Sequence, residues 1–291
     1  MKLALGTVQF GMPYGIANEQ HVPADEEIAS ILDLAELSAI DAIDTASSYG
    51  DSETRLGAAL RGRRCFRLVT KTPPLNDDES SLDPQTAVRA SLLKSLARLR
   101  QPAIYALLVH RASDLFAPGG DNMLKGMHEC AREGLVSKLG VSVYCAEDID
   151  RVLGCFVPDV VQLPLNVFDQ RLCRSGHLQK LSKLGVEIHA RSIFLQGLLL
   201  MSAEEIPARF ASMRAHVDAY HSRLGELGIT PLEAALGFVE QCKDITYGVI
   251  GVISALQLAE CTAAARKVVK FDFGDFAFDR PEFVDPRLWS E

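Results

Sequence analysis

Asp44, Lys71 and His110 each stand at the end of a short β-branched, apolar run, AIDAIDT, RLVTKT and YALLVH. Tyr49 follows Asp44 in DTASSYGDSE. A phenol, with a pKa of about 10, is a weak acid that gains from a cation at its side. Lys71 can be that cation, Asp44 can hold its ammonium, and His110 can donate a hydrogen bond. Such a group can hand a proton to an oxygen on which negative charge is building. Each residue also has a plainer reading. Asp44 could cap a turn, Lys71 before Thr72-Pro73-Pro74 could be a loop lysine, His110 a buried, hydrogen-bonded histidine, and Tyr49 a turn aromatic. Their shared placement just past strands gives the set its weight, because ionisable residues at the C-terminal ends of successive strands are what a barrel enzyme uses.

Strand-like and helix-like patterns alternate along the whole chain. Ile28, Ile31, Leu32 and Ala35 share one helical face, as do Val88, Leu92, Leu96 and Leu99. Asp83-Pro84 reads as an N-cap followed by a first-turn proline, and Thr230/Glu233 and Ser202/Glu205 have capping-box spacing. Strand candidates are short and continuously apolar, as strands covered on both faces should be. They fall near 3–7, 40–45, 65–71, 104–110, 138–143, 159–164, 187–193 and 246–251. Eight such units without a linker predict a single-domain (β/α)8 TIM barrel over 1–291, with a tail, 270–291, that borders the active site or packs on the barrel wall. A doubly wound sheet is the alternative, but Gly6, Gly11 and Gly15 after the first strand do not have GxGxxG spacing.

The chain has 291 residues, 48% of them apolar, enough to bury one large core. A net charge of −8 argues against a nucleic-acid or polyanionic surface as partner. No window approaches the roughly 20 apolar residues of a membrane span, and MKLALGTVQFG turns polar too early for a secretion signal. Seven dispersed cysteines with no CxxC read as free thiols in a reducing cytoplasm, with no metal site.

LGTVQFG, DTASSYGDSETRLG, TK, VH, GLVSKLGVSVY, VVQLPLNVFD, RSIFLQGLL and GVIGVISALQLAE occur in that order. Together they resemble the aldo-keto reductase family over nearly the whole chain. LPLN and RSIFLQGLLL further resemble a bacterial subgroup linked to sugar or polysaccharide metabolism. The resemblance implies a nicotinamide-dependent interconversion of an aldehyde or ketone with its alcohol. It places a catalytic tetrad on Asp44, Tyr49, Lys71 and His110. It also assigns cofactor contacts to Ser142 and Gln162 (nicotinamide carboxamide), Arg191 (a stacking position), Gly197 (the loop near the phosphates), and Ser254 and Gln257 (the last helix). The expected partner is a small carbonyl or alcohol.

The chain departs from the family pattern at several points. The asparagine after the serine is Val143, and the stacking aromatic is Arg191. Where NADP-binding members carry a Lys-Ser pair, an Arg and an Asn, this chain has Gly251, Val252, Gln257 and Cys261. Arg266 and Lys267 lie further along the helix, and no acidic residue is evident where it would repel a 2′-phosphate. The family pattern favours NADP(H), with NAD(H) or dual use as the alternative. Ser254 and Gln257 can equally form a capping box, Asn166 a turn, and Gly197 a plain turn glycine. Tyr14 and Phe10 are candidates for one pocket wall, and Trp289 with the tail phenylalanines for another. A catalytically weak, cofactor-sensing regulatory subunit and a barrel isomerase or lyase on a sugar phosphate are the competing functions.

Overall fold

A computed structural model of the chain describes residues 1–16, 22–75, 82–278 and 280–289. Its eight strands, β1 (Lys2–Gly6), β2 (Ala42–Asp44), β3 (Arg67–Lys71), β4 (Ile104–Val109), β5 (Val136–Ser142), β6 (Val160–Pro164), β7 (Glu187–Arg191) and β8 (Tyr247–Gly251), form a closed parallel barrel in chain order. All eight expected strands are present. The apolar residues divide between two faces because strand side chains alternate. Leu5, Ile43, Leu68, Leu107, Leu139, Val161 and Ile188 join the large core between strands and helices. Val69, Ala106, Leu108 and Val160 form one separate cluster, and Ala4, Ala42 and Tyr247 another, filling the barrel itself.

The outer helices present the faces that the sequence predicts. Ile28, Ile31, Leu32 and Ala35 of helix Asp25–Leu37, and Val88, Leu92, Leu96 and Leu99 of helix Pro84–Leu99, are buried. Asp83 accepts hydrogen bonds from the N–H groups of Gln85 and Thr86, and Thr230 with Glu233 forms a complete capping box. Ser202/Glu205 differs. Glu205 does accept from Ser202 N–H at 2.8 Å, but no helix starts there. Pro207 follows immediately, the chain passes through a 3₁₀ segment, Ala208–Met213, and the helix begins only at Arg214. Of the stripe read along this region, Phe210, Met213, Val217, Tyr220 and Leu224 are buried and Leu227 is exposed.

The N-terminal end of the barrel is closed by polar groups. Glu187 accepts from Tyr105 (2.7 Å) and Lys138 (2.6 Å) and pairs with His189 (2.7 Å). Tyr247 Oη donates to Asp41 and accepts from Arg67. The tail packs along the wall: Trp289 meets Phe210 edge-on at 4.9 Å, and Phe276 and Phe278 surround His216. Residues 279, 290 and 291 of the tail lie outside the described residues. No helix among the described residues is long and apolar enough to cross a membrane, and none of their Cys, His, Asp and Glu side chains cluster as a metal site. The seven cysteines are unbridged; Cys130 and Cys261 are buried, whereas Cys65 and Cys155 are exposed.

Candidate active site

The C-terminal ends of the strands open into a cleft of about 340 Å³ lined by Asp44, Tyr49, Lys71 and His110 together. Strand register explains how two of them meet. Asp44 is level with Val69 of β3, and Lys71, two positions on, faces the same side. Its extended side chain places Nζ 2.8 and 2.7 Å from the two Asp44 oxygens and 2.9 Å from the Thr45 carbonyl. Lys71 is 1% exposed, so its ammonium is satisfied by protein groups alone. Burial lowers the Lys71 pKa, and the Asp44 carboxylate offsets this only in part.

Tyr49 reaches the cleft on a loop whose glycines are required by backbone contact. A Cβ at Gly11 would lie 1.9 Å from the Tyr49 carbonyl, and one at Gly50, which has φ +53°, would lie 2.5 Å from the Gly11 carbonyl. Ser52 Oγ donates to the Thr7 carbonyl at 2.7 Å, and Arg55 donates to the carbonyls of Phe10 and Pro23. Glu53 accepts from Thr70 and pairs with Arg98. Most of DTASSYGDSETRLG therefore fastens the Tyr49 loop to its neighbours. The Lys71 ammonium sits 5.0 Å from the Tyr49 ring centroid. Burial and then the Asp44 charge push the phenol up, with Arg191 pulling the other way. Lys71, the cation that the sequence reading set beside Tyr49, has both Asp44 oxygens on its ammonium, and Arg191 is a second cation acting on the phenol.

His110 meets Tyr49 edge-on at 5.8 Å, and its Nδ1 is 3.2 Å from Ser48 Oγ. Burial, then the Lys71 charge, lowers its pKa to about 3, with Asp44 opposing. The imidazole is neutral at ordinary pH. A Ser48 hydroxyl donating to Nδ1 would leave the ring proton on Nε2.

Of the other expected residues, Ser142, Gln162, Arg191, Gly197 and Gln257 line the cleft. Gln162 Nε2 donates to Asp44 Oδ1 at 2.8 Å. Arg191 stacks on the Tyr144 ring at 4.0 Å and donates to the Val143 carbonyl and to Ser192 Oγ. Arg287 of the tail, paired with Asp285, covers Tyr144 at 3.7 Å, which is how the tail reaches the mouth; no described tail residue lines the cleft. Gly197 has φ +102° in a loop where Ser192, Leu195 and Gln196 are also left-handed. Tyr14 lines the cleft, its hydroxyl pushed up to about 12 by burial and by Tyr49. Phe10 is instead fully buried core. Asn166 is a turn residue, accepting from the N–H groups of Phe168 and Asp169.

Ser254 does not line the cleft. Its hydroxyl accepts from Gln257 N–H at 3.2 Å, capping helix Ala255–Ala265, while Gln257 Oε1 accepts from Ile253 N–H at 2.9 Å. Two carboxylates at this end were missed by the sequence reading. Glu27 accepts from Ala255 N–H at 2.6 Å, and Glu260 lines the cleft. Glu260 was open to view one helical turn beyond Gln257; Glu27 lies 228 positions from Ala255 and gave no signal. Gln9, Tyr144, Ser192 and Gln196 also line the cleft unforeseen.

The closed barrel carries the Asp44–Lys71 pair beside Tyr49 and His110 at one end, and the comparisons place it in a class of barrel oxidoreductases. The Aldo/keto reductase family profile matches residues 2–276, so the chain belongs to that family, whose members act on carbonyl and alcohol groups. No curated protein matches significantly. Among solved structures, a Pseudomonas aeruginosa protein described as an aldo-keto reductase is 25% identical at a TM-score of 0.67, covering 90% of this chain and 88% of its own. A holo aldo-keto reductase from Bacillus halodurans shares the fold at 17% identity and TM-score 0.77, covering 99% and 95%. The glycerol dehydrogenase of Gluconobacter oxydans does so at 20% and 0.73, covering 98% and 92%.

Proposed function

We propose that the chain interconverts an aldehyde or ketone and its alcohol with a nicotinamide dinucleotide, Tyr49 being the proton donor. The observation that carries this is the buried Lys71–Asp44 pair opening onto the same cleft as Tyr49 and His110. The cleft also fits a polar cofactor. Gln9 Oε1 is buried in its wall without a donor, and a Cβ at Gly251 would lie 2.5 Å from the Gln9 amide, so the missing side chain leaves that amide its place. The bound nicotinamide supplies the hydride that no side chain can.

The residues then act on the carbonyl oxygen. His110 Nε2–H donates to it and orients the carbonyl. Tyr49, kept protonated by burial and Asp44, gives its proton as charge develops there. The phenolate that remains is favoured by Lys71 and Arg191, neither of which needs to move. Ser142 and Gln162 would hold the nicotinamide carboxamide, with Arg191 and Gly197 lining the same cleft. A sugar substrate would fit the subgroup resemblance.

The test is nicotinamide oxidation with a panel of neutral and sugar carbonyls. Turnover that disappears in Tyr49→Phe supports the reading. Saturable nucleotide binding with no turnover of any carbonyl would favour a cofactor sensor, and conversion of a sugar phosphate without nucleotide an isomerase or lyase.

A further inference from the structure

We infer that the cleft is built for NAD(H) and against NADP(H), reversing the preference that the family pattern suggests; this rests on the oxidoreductase reading above. Hydride and proton must reach one carbonyl, so the nicotinamide lies beside Tyr49. The rest of an elongated dinucleotide then extends to the other end of the same cleft, lined by Gly251, Val252, Gln257, Glu260 and Cys261.

A 2′-phosphate at that end would bring a charge of about −1.5 to −2 and only acceptor oxygens. It would need cations or free N–H groups, and the described residues offer few. Among the described residues, the only Lys and Arg lining the cleft are Lys71 and Arg191, both beside Tyr49, and Lys71 is matched by Asp44. Lys267 is held by Glu233, and neither it nor Arg266 lines the cleft. The start of helix Ala255–Ala265, which could otherwise receive an anion, is filled from within. Ala255 N–H goes to the Glu27 carboxylate, Gln257 N–H to Ser254, and Ile253 N–H to Gln257. A phosphate would therefore displace one carboxylate and face a second, Glu260.

A ribose with both hydroxyls free meets the opposite situation. It brings donors, and the wall offers acceptors: the Glu260 carboxylate and the orphaned Gln9 Oε1 in a residue only 7% exposed. A buried acceptor without a donor costs free energy that a ligand hydroxyl recovers.

The experiment is calorimetric titration of the whole protein with NADH and NADPH, and with ADP-ribose and its 2′-phosphorylated form as probes that cannot react. NADH and ADP-ribose are expected to bind at least about tenfold more tightly than their phosphorylated counterparts. Glu27→Gln keeps an acceptor for Ala255 N–H and removes the charge. It should tighten NADPH severalfold and leave NADH within about twofold. Gln257→Arg, which adds a cation at the same end, should act in the same direction. NADPH binding as tightly as NADH to the unaltered protein overturns the inference while leaving the oxidoreductase reading intact. Binding of neither nucleotide by folded protein overturns both.

Discussion

Gln162 Nε2 and Lys71 Nζ donate to the same Asp44 oxygen, Oδ1, each at 2.8 Å. β6 thus reaches across the barrel to orient a carboxylate on β2, which in turn fixes an ammonium on β3. The three side chains are almost wholly shielded from water.

Removing one member of this group should cost more than removing the pair. Asp44→Asn leaves an uncompensated buried ammonium, and a loss of about 3–5 kcal/mol is expected. Asp44→Asn combined with Lys71→Met removes that charge and should recover much of the stability while remaining inactive. Gln162→Leu removes one donor to Asp44 and should cost about 1–3 kcal/mol. Urea unfolding of the parent, Asp44→Asn, Lys71→Met, the double variant and Gln162→Leu measures the coupling. Strict additivity of the two single changes at 44 and 71 would mean that the pair is not energetically linked.

Tyr49→Phe should lower the rate of carbonyl reduction by about 10²- to 10⁴-fold, the range for a lost general acid. Nucleotide affinity should stay nearly unchanged, because the phenol acts on the substrate oxygen. Near-normal kcat in this variant would remove Tyr49 from the chemistry.

The pH profile should carry the signature of a neutral His110. Its pKa is lowered from 6.5 to about 3, chiefly by burial and then by Lys71. Between those values the unfolded chain binds the proton that the folded one refuses. His110 therefore makes folding less favourable as pH falls from 6.5 towards 3, and its contribution is complete above 6.5. Across pH 5–8 it does not titrate in the folded protein, so kcat/KM for reduction should show no inflection near 6.5. An acid limb there that vanishes in His110→Asn would contradict the assignment.

The barrel, and the meeting of Asp44, Tyr49, Lys71 and His110 in one cleft, were legible because their signals are local. Each strand is one apolar run, and Asp44, Lys71 and His110 lie where such runs stop. Thr230 and Glu233 are likewise readable because a capping box closes within one turn. Ser202 and Glu205 show the limit of that logic: the spacing is right, but Pro207 prevents the helix. What could not be read depends on contacts between distant segments. Gln162 reaches Asp44 over 118 positions and Glu27 reaches Ala255 over 228. No periodicity marks either partner. The stack of Arg191, Tyr144 and Arg287 joins β7, the loop after β5 and the tail, and Arg191 alone looked like a departure from an aromatic.

The opposite end of the barrel should govern acid stability rather than activity, since that face of such a fold carries structure and not catalysis. Burial by itself would raise the Glu187 pKa, but His189, Lys138 and Tyr105 together hold it down at about 2. A carboxylate with a depressed folded pKa stabilises the protein above its unfolded value, near 4.5, and loses that contribution as pH falls through the folded value. Glu187→Gln should therefore lower stability at pH 7 by about 2–3 kcal/mol and flatten the decline between pH 4.5 and 2. Thermal unfolding followed from pH 7 down to pH 3 measures this, with kcat at pH 7 expected to stay within about twofold of the parent. An unchanged acid limb would show that the carboxylate is not held in its charged form by these three neighbours. A large loss of kcat with intact stability would instead place Glu187 in contact with the chemistry at the far end of the barrel.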